Sequence, residues 1–153
     1  MSSFSTLIYN TCAQNDGVIS IDNNLAEKLG VYLENLLETN KKMNLTAIRS
    51  PEDAALKHFA DCLTVVPLIP RGAKLIDVGS GAGLPAIPIA LSRPDVSVTA
   101  LDSTGKKAAY IASVAQAMEI SNLNAVCGRA EELGRQHGMR ESFDTVTAAR
   151  LHG

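Results

Sequence analysis

From residue 25 onward the apolar positions fall into two successive patterns. Leu25, Leu29, Tyr32, Leu33, Leu36 and Leu37 recur at spacings of three and four, which predicts an amphipathic helix capped by Asn23 and Asn24. The stretch Asn40-Lys41-Lys42-Met43-Asn44-Leu45-Thr46-Ala47-Ile48 breaks that period and reads as a loop. Ser50-Pro51-Glu52-Asp53 then combines a hydroxyl cap, a proline for the first helical position and two acids for the positive end of the helix dipole. The helix it starts is expected to reach Val66 and stop before Pro67. Its buried stripe is Leu56, Phe59, Ala60, Leu63 and Val66, with His58 and Asp61 close enough to meet on the next face. Beyond Pro70-Arg71-Gly72 the pattern changes to short apolar runs alternating with helical segments. Lys74–Val78, Val96–Leu101 ending at Asp102, Leu123–Cys127 and Phe143–Ala148 read as strands. Helices are expected at Pro85–Leu91, at Lys106–Met118 with Ala108, Ile111, Ala112, Ala115 and Met118 buried, and as a short helix or turn at Glu131–His137. Strands that alternate with helices pair in parallel through right-handed crossovers.

The first strand breaks into Gly79-Ser80-Gly81-Ala82-Gly83-Leu84-Pro85. Glycines admit a ligand close to the backbone, and the amides of the following helix are expected to supply free donors. Two ligand classes suit such a turn. Dinucleotide sites use G-x-G-x-x-G, whereas Gly79, Gly81 and Gly83 are evenly spaced. Asp77, two residues ahead, would repel a pyrophosphate but suits water or an ammonium group, as found on S-adenosylmethionine. Asp102, ending the second strand, stands where a carboxylate accepts both hydroxyls of a ribose, a role common to either class. Gly128-Arg129-Ala130-Glu131, after the third strand, would place backbone groups beside an adenine edge. The purely structural alternatives are that Asp77 bonds only the turn it precedes and that Asp102 caps the helix at Lys106.

Composition narrows this only modestly. The chain of 153 residues is 46% hydrophobic and 20% charged, enough for one domain with a core. Met1 to Gln14 lacks the pattern of a secretory signal and no run is long enough to cross a bilayer, so a cytoplasmic location is expected. Cys12, Cys62 and Cys127 are scattered without a Cys-x-x-Cys pair; neither a disulfide framework nor a metal site is expected, and the thiols are read as buried and reduced. The net charge of −2 conceals a mildly basic middle, in which residues 28–74 carry seven basic and five acidic side chains. That excess is too small to imply nucleic-acid binding by itself.

Several stretches together resemble the bacterial RsmG family, also called glucose-inhibited division protein B. They are residues 40–48, His58-Phe59-Ala60-Asp61-Cys62-Leu63, Leu75 to Pro88, Leu101-Asp102-Ser103-Thr104-Gly105-Lys106-Lys107 and Gly128-Arg129-Ala130-Glu131-Glu132-Leu133. The resemblance implies a Rossmann-like class I methyltransferase fold (α/β) preceded by an N-terminal helical segment. It also implies transfer of a methyl group from S-adenosylmethionine to nitrogen 7 of a guanine in 16S ribosomal RNA. Cofactor contacts are implied at Gly79, Leu84, Asp102, Ala130 and Glu131, to which the reading of the turn adds Asp77, Gly81 and Gly83. Substrate phosphates are expected on Lys41, Lys42 and Arg49; no metal and no catalytic acid–base residue is called for, since guanine nitrogen 7 already carries a free lone pair. Cys62 stands where the family usually has serine and Ala86 where it has glycine. The family also has an arginine six residues beyond the equivalent of Phe143; here Ala149 occupies that place and Arg150, one residue on, is taken as the cofactor contact.

The expected organisation is a single domain with a helical segment over residues 1–70, a partial core over 71–148 and a tail unlike the family over 149–153. The sheet, in the order 3-2-1-4, would stop after its fourth strand, where the family sheet continues to seven; the chain is read as a truncated or frame-shifted member. A monomer is expected unless a partner covers the fourth strand's edge. The competing functions are an inactive remnant that only binds cofactor or RNA, and an NAD-dependent oxidoreductase.

Overall fold

The computed structural model describes residues 2–13, 21–53, 58–135 and 143–147. Two N-terminal helices come first, α1 (Ser3–Ala13) and α2 (Asn23–Met43). They pack closely because α2 carries Gly30 at the crossing: a Cβ there would stand 2.3 Å from Ser5 Oγ and 2.9 Å from the Ser5 amide nitrogen. The cap of α2 is Asp22, whose Oδ1 accepts from the Leu25 amide at 2.7 Å, so Asn23, expected as a cap, is instead the first helical residue. At its other end α2 extends through Met43, into residues expected to be loop. Lys41 and Lys42 offset the dipole in the last turn, and Asn44 adopts a left-handed conformation (φ 49°) with its amide on the Asn40 carbonyl. Asn40 is buried; its Oδ1 accepts from the Thr46 amide (2.9 Å) and its Nδ2 donates to the Ile48 carbonyl (3.0 Å), folding the following loop back on the helix.

The expected helix over residues 50–66 is broken into pieces. Ser50 Oγ accepts from the Asp53 amide at 3.2 Å and opens α3 (Pro51–Asp53). Leu56 lies outside the described residues. His58 and Phe59 form a wider π turn leading into α4 (Ala60–Thr64), and Val66–Leu68 is a 3-10 turn containing Pro67. Phe59, Ala60 and Leu63 are buried as expected.

The α/β part follows as β1 (Lys74–Val78), α5 (Ala86–Ser92), β2 (Ser97–Asp102), α6 (Gly105–Ala117), β3 (Leu123–Cys127), α7 (Ala130–Arg135) and β4 (Thr145–Thr147). The four described strands are all parallel in the order β3-β2-β1-β4, as expected. Pro85 is the N-cap of α5 rather than its first residue. α5 lies on β2, and α6 lies on β2 and β3; α2 and α4 both pack on α5 and so join the helical segment to the sheet. The buried face of α6 differs from the expected stripe: Tyr110 and Val114 are buried and Ala112 is exposed. The reason is α2, whose Asn35 Oδ1 accepts from the Tyr110 hydroxyl at 2.8 Å and draws that face inward.

Below the sheet, at the amino ends of the strands, two side chains hold the connections. Asn122 Nδ2 donates to the carbonyls of Ala90, Arg93 and Val96 at 2.8–3.0 Å. Arg93 donates to the carbonyls of Val66 and Ile69 and forks onto Asp95, each at 2.9 Å. Cys12 and Cys62 are buried, and burial pushes their thiols up to about 11 and about 12, but Cys127 is exposed, contrary to expectation, because it ends the outer strand β3.

Candidate cofactor site

In a parallel sheet the ligand crevice opens at the carboxyl ends of the strands, where the chain reverses its direction of winding; here that point lies between β1 and β4. A cavity of about 340 Å³ sits at the carboxyl ends of β1, β2 and β3, on the β2 side of that point, lined by Val78, Gly79, Leu101, Ser103, Gly128, Arg129, Ala130 and Glu131. Its size matches a small-molecule site. Gly79 (φ 73°) presents bare backbone: a Cβ there would meet nothing within 4 Å, so the wall is open on that side.

Asp102 stands behind this wall, only 7% exposed, its Oδ2 accepting from the Gly81 amide (2.8 Å) and its Oδ1 from the Thr104 amide (2.9 Å). It does not cap α6 with its side chain at Lys106; the N-cap is Thr104. The acid instead ties the glycine turn to the start of the α6 connection.

Asp77 is buried completely beneath the turn. Its Oδ2 accepts from Ser80 Oγ (2.8 Å), its Oδ1 from Thr147 Oγ1 (3.0 Å), and the Ala86 amide at the start of α5 also bonds it. Burial pushes its carboxyl up to about 6 against the pull of those donors. Asp77, expected to face a ligand ammonium, therefore turns inward, because a desolvated carboxylate takes the nearest hydroxyls and the helix amide.

Five of the turn's amides are also engaged. Those of Gly79 and Ser80 donate to the Leu101 carbonyl (2.8 and 3.0 Å), that of Gly81 to Asp102, and those of Gly83 and Leu84 to the Ser80 carbonyl (2.8 and 3.2 Å). The Ile87 amide bonds the Gly83 carbonyl. The expected free donors at the start of α5 are thus occupied, Ala86 by Asp77 and Ile87 by Gly83.

Of the expected cofactor residues, the cavity brings together Gly79, Ala130 and Glu131, with Asp102 directly behind. Gly83 and Leu84 are buried in the turn rather than in the lining; a Cβ on Gly83 would stand 2.3 Å from Ile87 Cδ1. Arg150 lies outside the described residues. Val78, Leu101 and Ser103 were not anticipated, although each adjoins a strand end that was.

Of the expected RNA-binding residues, Lys41 and Arg49 share a second cavity, about 330 Å³, with Leu37, Asn40, Asn44 and Ile48. Lys42 is exposed on α2 outside it. Lys41 pairs with Glu38 at 3.1 Å, and Arg49 Nη1 bonds the carbonyls of Thr46 and Ile48. Lys106 Nζ, on α6, donates to the Met43 carbonyl at 2.8 Å and adds a further cation to this end of α2. Among the described residues no cluster of His, Cys, Asp and Glu is able to hold a metal ion, and no helix is long and apolar enough to cross a membrane.

Strand order, glycine turn and acid at the end of β2 make a Rossmann-like α/β fold, and the solved structures it superimposes on are class I methyltransferases. An O-methyltransferase from Bacillus cereus, solved in complex with SAH, superimposes with a TM-score of 0.58 at 21% identity, covering 95% of this chain and 62% of that one. The family follows from sequence: the model for GidB, rRNA small subunit methyltransferase G, matches residues 25–151, and the chain belongs to that family. Proteins named ribosomal RNA small subunit methyltransferase G from Sorangium cellulosum (strain So ce56) and Methylobacillus flagellatus are 42% and 45% identical to it, over 85% and 80% of this chain. The chain spans 55% and 57% of the length of these two relatives.

Proposed function

We propose that the cavity binds S-adenosylmethionine and that the protein methylates nitrogen 7 of a guanine in 16S ribosomal RNA, acting in the cytoplasm on the small ribosomal subunit. The observation that carries the choice of cofactor is Asp77. Its carboxylate already occupies the anion position at the start of α5, and the amides of Gly79, Ser80, Gly81, Gly83 and Leu84 are paired within the protein. A pyrophosphate would find few donors there and a buried acid beneath it, which speaks against an NAD-dependent oxidoreductase. A ligand without phosphate meets no such conflict.

When bound, S-adenosylmethionine supplies a methyl group activated by its sulfonium. The chain's own residues have three tasks. Asp102, oriented by the amides of Gly81 and Thr104, accepts from sugar hydroxyls. Gly79 and the segment Gly128–Glu131 form the walls that hold the nucleoside. Lys41, Lys42 and Arg49 hold RNA phosphates, with a guanine from a loop or junction presented to the cavity, because the A-form major groove is too narrow for side chains. No residue needs to remove a proton, since the guanine nitrogen attacks as it stands. Positioning alone is worth about 7–11 kcal/mol in favourable cases.

The test is methyl transfer to small ribosomal subunits that lack the modification, using labelled S-adenosylmethionine and chain scission at 7-methylguanine. Label at a single guanine that is lost in Asp102→Ala supports the proposal. Label on another base or atom, or none from folded protein, contradicts it.

A further inference from the structure

The hydroxyl of Tyr32, in the middle of α2, donates to the carbonyl of Ala82 at 2.7 Å, a fully buried contact between residues 50 apart in sequence. Ala82 lies between Gly81 and Gly83 in the turn. The ring of Tyr32 is fixed by stacking on Phe59, with centroids 5.6 Å apart and planes 7° from parallel. Space for the hydroxyl comes from Gly83, where a Cβ would stand 3.3 Å from Tyr32 Oη. A tyrosine is thus held with its donor aimed at one peptide of the turn.

We propose that Tyr32 is a positioning residue for the cofactor, setting the glycine turn through Ala82 so that the adjoining Gly81 amide orients the Asp102 carboxylate toward the sugar. The inference rests on the reading of this turn as the wall of a cofactor site. The coupling runs through three consecutive contacts: Tyr32 Oη to the Ala82 carbonyl, the chain from Ala82 to Gly81, and the Gly81 amide to Asp102 Oδ2 at 2.8 Å. Without the hydroxyl the buried Ala82 carbonyl loses its donor, and the peptide rotates to find another. Asp102, held on one side by Gly81, moves with it. α2 carries Lys41 and Lys42 in its last turn, so one helix serves both the cofactor turn and the basic end.

The experiment uses the full 153-residue chain as wild type, Tyr32→Phe and Phe59→Leu, with S-adenosylhomocysteine as the probe in calorimetry and thermal melting alongside. Tyr32→Phe keeps the ring and its stack, and is expected to weaken the probe about tenfold while lowering Tm by only a few degrees. Phe59→Leu disturbs the stack but leaves the hydroxyl; it is expected to lower Tm at least as far and keep affinity within about twofold. Amide exchange at Gly83 and Leu84, whose amides bond the Ser80 carbonyl, is expected to quicken in Tyr32→Phe alone. If the wild type binds and Tyr32→Phe binds equally well, the role of Tyr32 is overturned while the cofactor site stands. Equal weakening in Phe59→Leu overturns it too, since packing would then explain the effect. If folded wild type does not bind the probe, the reading of the turn falls and takes the role of Tyr32 with it.

Discussion

At the scale of single residues, Asp77 carries the clearest consequence. In the folded chain its carboxyl titrates at about 6, raised by burial, against an ordinary value of 3.8. Between those pH values the folded state holds a proton that the unfolded chain has released. The stability this group contributes is therefore complete below about pH 4 and is lost as pH rises through 6, a decline of about 3 kcal/mol. Asp77→Asn removes that titration. The stability of the variant, measured in urea from pH 4 to 7, is expected to rise relative to wild type as pH increases; parallel curves would contradict the account. The sequence marked this position as an acid before a glycine turn and suggested a carboxylate facing the ligand, whereas it turns inward. Thr147, which takes one of its oxygens, lies 70 residues away.

At the scale of elements, β1 and β3 were legible residue for residue, because an apolar run bounded by turn residues has few ways to form. Helix ends were harder. Asp22, Asn23 and Asn24 can all cap α2, and only geometry selects Asp22. Likewise the periodicity of α6 contains more than one apolar stripe, and the placement of α2 decides that Tyr110 rather than Ala112 goes inside. The separation of scaffold from site can be tested at Asn122. It serves three carbonyls just before β3, at the end of the sheet away from the cavity. Asn122→Ala leaves those carbonyls without this donor and is expected to cost about 2 kcal/mol in denaturant, with affinity for S-adenosylhomocysteine unchanged within about twofold. An unchanged midpoint would show that the connections are held elsewhere.

At the scale of the whole molecule, the fold brings together the acid ending β2, the glycine after β1 and the segment after β3, none adjacent in sequence, at one end of a parallel sheet. Strand order made that meeting foreseeable. What it did not reveal is how the helical segment takes part, since the contact from Tyr32 to Ala82 depends on α2 packing over α5. The central claim is that this cavity takes a nucleoside cofactor without phosphate. The most direct measurement is calorimetric titration of the folded chain with S-adenosylhomocysteine and, separately, with NAD. The account predicts saturable binding of S-adenosylhomocysteine, lost in Asp102→Ala, and no heat from NAD; binding of NAD, or silence with S-adenosylhomocysteine at millimolar concentration, would contradict it.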